Sequence, residues 1–161
     1  MQPNSRRDIL TGMRELFLLA AAVALLASCA TVPVAQREPR IERLLTTLNE
    51  GSIEEVLPAT GSPFLLDREI IILDRDVETM WTNLRAVGFS FAEYQIESVD
   101  AVTEESYSRF GETLDVEVYF QKYLPEGAAI VTVNTAHGRF FLLTGGKVEG
   151  APRLFGFRGP V

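Results

Sequence analysis

The chain has 161 residues, of which 47% are hydrophobic, and it carries one cysteine, one histidine and a formal net charge of −7. That length suits one domain and a leader, and the composition excludes a multispanning membrane protein. A single Cys excludes an intrachain disulfide and a multi-thiolate zinc site, a single His (His137) excludes a multi-histidine metal cluster, and 22 acidic residues against 15 basic ones argue against binding a phosphate backbone.

Leu16 to Ser28 is a run of thirteen residues without a charge. A membrane-spanning helix needs roughly 20. Thirteen fits the apolar region of a signal peptide, with Arg6, Arg7 and Arg14 as its basic n-region. Leu26-Ala27-Ser28-Cys29 resembles the lipobox of bacterial lipoproteins. Small side chains at Ala27 and Ser28 fit a peptidase groove, and the thiol is the nucleophile that takes the lipid. The resemblance implies diacylglyceryl transfer to Cys29, cleavage before it, and a mature chain held on the bilayer by the acylated Cys29. One acyl chain binds a membrane only marginally, and a triacylated cysteine supplies the several that stable anchoring needs. Ser5 to Leu10 (SRRDIL) resembles the twin-arginine export motif, separated from the apolar run by Thr11 to Glu15. A start at Met13 instead gives a general-secretion lipoprotein signal, so two export routes fit. Ala30, where an Asp would signal retention, resembles the outer-membrane sorting pattern of enteric lipoproteins.

Removing the leader takes away Arg6, Arg7, Arg14, Asp8 and Glu15, which leaves 12 basic and 20 acidic residues, net −8. An acidic body stands off an anionic lipid surface. The expected organisation is a signal peptide over 1–28, a lipidated Cys and aperiodic tether over 29–38, and a folded domain over 39–161.

Pro39 to Asn49 predicts a helix, with Ile41, Leu44, Leu45 and Leu48 at i, i+3, i+4 and i+7 and Pro39 at its first position. Ser52 to Glu55 has the Ser-x-x-Glu form of a capping box, and Pro58 stops the short helix it opens. Ala59 to Ser62 reads as a loop, and Phe64 to Leu73 as a segment holding a short strand. A third helix is expected over Asp76–Val87, with Val77, Met80, Trp81, Leu84 and Val87 on one face and Gly88 at its end. The period then changes to two. Strands are expected over Ala92–Val102, Thr113–Leu124, Ala128–Thr135, Arg139–Thr144 and Arg153–Arg158. In the second of these, Leu114, Val116, Val118 and Phe120 form an apolar face opposite Asp115, Glu117, Tyr119 and Gln121. Pro125-Glu126-Gly127 and His137-Gly138 are turns, and Gly145-Gly146 breaks a strand.

Two helices, a short strand, a helix and a run of antiparallel strands make an α+β plan. The order, and the stretch PFLLDREIIILDRDVETMWTNLRAVGF at 63–89, resemble the nuclear-transport-factor-2-like (ketosteroid-isomerase-like) superfamily. The resemblance covers about residues 39–158. It implies a curved antiparallel sheet wrapped against about three helices, a cone-shaped, cystatin-like α+β barrel with an internal pocket. The simpler alternative is a two-layer sandwich without a cavity. Members include isomerases, dehydratases, hydrolases and binding modules, so the fold alone does not give the function.

No residue set carries clear chemistry. Asp115 and Tyr119 share a predicted strand face, but Glu117 lies between them, which suits a solvated surface better than an acid–base pair. His137 precedes Gly138 in a turn, with no carboxylate behind it, and no Gly-x-Ser-x-Gly elbow exists. Asp74, Asp76 and Glu78 suit the start of a helix; a calcium loop would need Gly at Thr79 and Glu at Arg85. Gly145-Gly146-Lys147 lacks the remaining residues of a phosphate loop. The candidate pocket-lining residues are Trp81, Tyr94, Phe120, Thr132 and Asn134. No metal or cofactor is expected. The expected function is a periplasm-facing lipoprotein whose domain binds a small apolar ligand or an envelope partner. The alternative is a small isomerase or lyase with one buried carboxylate as base beside a Tyr. A third option fills the cavity with side chains and dimerises through the sheet face.

Overall fold

A computed structural model describes residues 34–148 and 150–161. The leader, Cys29 and the first tether residues, 30–33, lie outside the described residues.

Helix α1 spans Val34–Glu50, starting five residues before Pro39, so residues 34–38 of the stretch read as a tether are helical. Pro39 thus lies inside the helix and not at its first position; it removes the bond its N–H would have made, and its ring crowds the carbonyl four residues back. Ile41, Leu44, Leu45 and Leu48 are all buried, as their spacing predicts. The short helix α2, Ile53–Val56, has the expected capping box: the Ser52 backbone N–H donates to Glu55 Oε2 at 2.7 Å. Strand β1 occupies Thr60–Leu66, where a loop had been expected up to Ser62, and pairs antiparallel with β2, Glu69–Ile71. Helix α3 is Asp74–Ala86, with Asp74 and Asp76 in its first turn and Val77, Met80 and Trp81 buried. Strand β3 is Gln95–Ala101, and a short 3-10 turn follows at Ser106–Arg109.

Residues 113–124 are not a strand. Leu114–Lys122 forms helix α4. Thr113 caps it, its hydroxyl accepting from the Val116 N–H, and Asp115, Glu117 and Lys122 are placed to complement the helix dipole. Val116, Tyr119 and Phe120 are the buried residues, at i, i+3 and i+4. Burying that set requires a turn of 3.6 residues, whereas alternation would bury Val118 and expose Tyr119. Strands β4 (Ala129–Thr135), β5 (Gly138–Val148) and β6 (Ala151–Arg158) complete the chain. Gly145 and Gly146 lie inside β5, where the register with β6 shifts, instead of ending it.

The result is an α+β fold with one six-stranded, unclosed sheet in the order β2-β1-β6-β5-β4-β3. It is antiparallel except at β1–β6, which run parallel. Gly156 allows that pairing: a Cβ there would come within 2.4 Å of the Leu65 carbonyl oxygen. Phe155 is an extra residue in β6, because Leu154 faces Thr144 while Gly156 faces Leu143. A bulge of this kind bends a strand and re-aims its side chains.

Helices cover both faces of the sheet. On one face α1, α2 and α3 bury Phe64, Val131, Val133, Phe140, Leu142, Leu154 and Phe157. On the other, α4 and Phe110 bury Leu65, Ile130, Leu143 and Phe155. The space expected for a cone's pocket is filled on the three-helix side by rings. Phe89 stacks on Phe157 at 5.4 Å, and Phe64, Trp81, Phe91 and Phe140 meet Phe157 with centroids 5.5–6.4 Å apart. Trp81 Nε1 donates to Thr60 Oγ1 (3.1 Å), which in turn donates to the Val56 carbonyl (2.9 Å), joining α3, β1 and α2. On the opposite side Tyr119 Oη lies 2.7 Å from both the Pro63 and the Phe155 carbonyl, which share its one proton, and it fastens α4 to β1 and β6.

Candidate functional site

The β1–β2 hairpin crosses the end of the sheet, and α4 runs beside it over Leu65. Between them lies an open groove of about 500 Å³. Pro63, Arg68, Glu69, Ile70 and Ile72 line it from the hairpin side, and Asp115, Val118 and Tyr123 from the helix side. The Tyr119–Pro63 bond holds the two walls together. The hairpin's alternation turns Ile70 toward the α4 side while Ile71 joins the three-helix core.

Two of the six large exposed hydrophobics among the described residues line this groove. Ile72 is 67% exposed and Tyr123 47%. Leu73 and Leu114, also exposed, adjoin the lining residues Ile72 and Asp115 in sequence. Of the large exposed hydrophobics among the described residues, only Val87 and Val161 lie outside these two segments. Strand β2 is the end of the sheet, so one of its edges is without a strand neighbour. An edge strand offers unpaired N–H and C=O groups to an incoming segment.

The five predicted lining residues do not form one site. Trp81 is buried in the three-helix core, and Tyr94, half-buried, packs against the same core. Phe120 belongs to the α4 core on the opposite face. Thr132 and Asn134 share that opposite face at the far, β3–β4–β5 end of the sheet. There Ser98 Oγ donates to Thr132 Oγ1 at 3.2 Å, and Asn134 Nδ2 donates to Glu97 Oε2 at 3.2 Å. Arg109 Nη1 donates to Asp100 Oδ2 at 2.9 Å, and this bond, chiefly, holds the Asp100 carboxyl below the usual carboxylate range. Arg109 also lies over the Phe141 ring at 6.0 Å, and Arg139 pairs with Glu97 at 3.2 Å. This end of the face is a self-satisfied polar network.

Sequence reasoning missed the groove residues. Reading 113–124 as a strand placed Asp115 and Tyr123 away from the hairpin. The signal was present: a Thr cap, two acids in the first turn, a Lys in the last, and apolar residues at 116, 119, 120 and 123. His137 is exposed in the β4–β5 turn, and its backbone N–H donates to Thr135 Oγ1. Asp74 and Asp76 lie in the first turn of α3, and among the described residues no cluster of three or more His, Cys, Asp or Glu side chains is placed to hold a metal ion. The buried polar side chains are Thr60, Ser106, Thr132 and Thr144, so no described Asp or Glu is buried. Among the described residues no helix is long and apolar enough to cross a membrane. Comparison of the chain with protein-family models, with curated proteins and with solved structures finds no match.

Proposed function

We propose that this chain is a bacterial envelope lipoprotein, held on the periplasmic side of the outer membrane by acylated Cys29, and that its folded body is a binding module. The groove between the β1–β2 hairpin and α4 holds the partner or small apolar ligand. The observation that carries this reading is the placement of exposed Ile72 and Tyr123 on an open groove whose remaining walls are built and fastened by buried contacts. Exposing such side chains costs roughly 1.5–3 kcal/mol each relative to burial, a cost recovered when something covers them. The isomerase alternative needs a buried carboxylate beside a tyrosine. Here the fully buried tyrosine, Tyr119, has two backbone carbonyls as its partners. The order of two helices, hairpin, helix and sheet supports the nuclear-transport-factor-2-like reading.

The experiment is site-specific photocrosslinking in intact cells, with the probe at position 72 or, as control, at Val87, which is 80% exposed and away from the groove. The groove reading predicts a discrete adduct from position 72 and none from 87. Equal yields from both positions, or none from 72, contradict it.

A further inference from the structure

We infer that the groove takes an extended, cationic and apolar segment of a partner protein, which adds as a strand to the free edge of β2. The inference rests on the reading of the groove as a binding site, and it names the class of occupant. Two observations select that class. The first is charge. The segments that line the groove, 63–72 and 115–123, contain Asp67, Glu69, Asp115 and Glu117 against Arg68 and Lys122, net −2, with Arg68 as the lining cation. Glu69 and Asp115, one on each wall, are the lining carboxylates, and both are exposed. An apolar channel with acidic banks attracts a cationic occupant and repels anionic lipid, and it repels a second copy of this acidic chain.

The second observation is the edge. Strand β2 pairs with β1 through Ile71–Phe64, Ile70–Leu65 and Glu69–Leu66, and no strand lies on its other side. The opposite edge of the sheet, β3, is longer but blunted. Its register with β4 shifts between Ile96 and Ser98, and it carries Glu97 and Asp100. Bulges and charges of that kind discourage strand addition. At β2 the groove-side residues are Ile70 and Ile72, with Val118 and Tyr123 across from them. A strand laid along β2 sends alternate side chains toward this face, where valine-sized groups fill the channel. Its main chain bonds the edge, and Lys or Arg at its alternate positions lies on the face that Glu69 shares with Ile71.

The test uses the full chain in non-ionic micelles and fluorescein-labelled acetyl-(Lys-Val)3-amide as probe, read by anisotropy. Binding should weaken at least tenfold for Glu69→Lys/Asp115→Lys, at least tenfold for Ile72→Lys, and less than twofold for Val87→Lys. It should also be lost when alternate amides of the peptide are N-methylated and when Glu replaces Lys. Thermal unfolding of each variant confirms that the fold is kept. Equal binding of the N-methylated peptide, full displacement of the probe by octylamine, or no binding by any peptide overturns the extended-strand inference. The crosslinking at position 72 reads the groove itself independently: an adduct there together with peptide failure leaves a binding groove whose occupant is not a strand.

Discussion

Tyr119 is the side chain that ties the groove wall to the sheet. Its hydroxyl reaches two carbonyls on different strands, and its ring is fully buried. Tyr119→Phe keeps the ring but removes the proton those carbonyls share, which costs about 1–3 kcal/mol in urea unfolding at neutral pH. Burial raises the phenol above its ordinary value near pH 10. A raised acid stays protonated in the folded state, so its contribution is intact below about pH 10 and is lost as the pH climbs further, when the unfolded chain ionises first. The stability gap between the native chain and Tyr119→Phe should therefore narrow above about pH 10. The Asp100–Arg109 pair works in the opposite direction. Asp100 is lowered, so its contribution is present above about pH 4 and is lost as acid protonates it. The two side chains are 44% and 41% exposed, so Arg109→Ala costs less than about 1 kcal/mol at neutral pH. The carboxyl resonance of Asp100 should titrate at higher pH in that variant. A large loss of stability would instead indicate a packing role for Arg109 over Phe141.

At the scale of elements, how much of the fold the sequence shows depends on how many faces each element buries. Helices α1 and α3 bury one stripe each, and Ile41, Leu44, Leu45 and Leu48, like Val77, Met80 and Trp81, announce it through their spacing. Helix α4 is short and amphipathic over barely two turns, so the alternation of Leu114, Val116, Val118 and Phe120 competes with the helical spacing of Val116, Tyr119 and Phe120. Its caps and its burial against the sheet decide the outcome. The strands had been expected to bury one face. Yet the runs AIVTV at 129–133 and FFLL at 140–143 are apolar at consecutive positions, the pattern of a sheet covered on both sides. Recognising that pattern would have called for a helix on the second face, and α4 is that helix. The parallel β1–β6 pairing has no local signal, since it joins residues more than ninety positions apart. Gly156 marks it only in retrospect. Gly156→Ala should cost about 1–3 kcal/mol, because the added methyl meets the Leu65 backbone and neither strand can withdraw without breaking the ladder. A variant as stable as the parent would show that β1 and β6 are farther apart.

At the scale of the whole molecule, the proposed anchor at Cys29 precedes a body with one groove lined by exposed Ile72 and Tyr123. The body's interior is closed by ring packing on one face and by α4 on the other, and the hairpin–α4 groove carries exposed Ile72 and Tyr123. The proposed binding role at the envelope requires delivery to a membrane surface by acylated Cys29. The most direct measurement compares the native chain with Cys29→Ser in fractionated cells, with intact mass recorded on both. The native chain should sediment with membranes and carry the added mass of acyl groups on a polypeptide starting at Cys29. The Cys29→Ser chain should lack that mass and keep its leader. A native chain of unmodified mass, or a serine variant processed to the same size and recovered with the same membranes, would contradict the account.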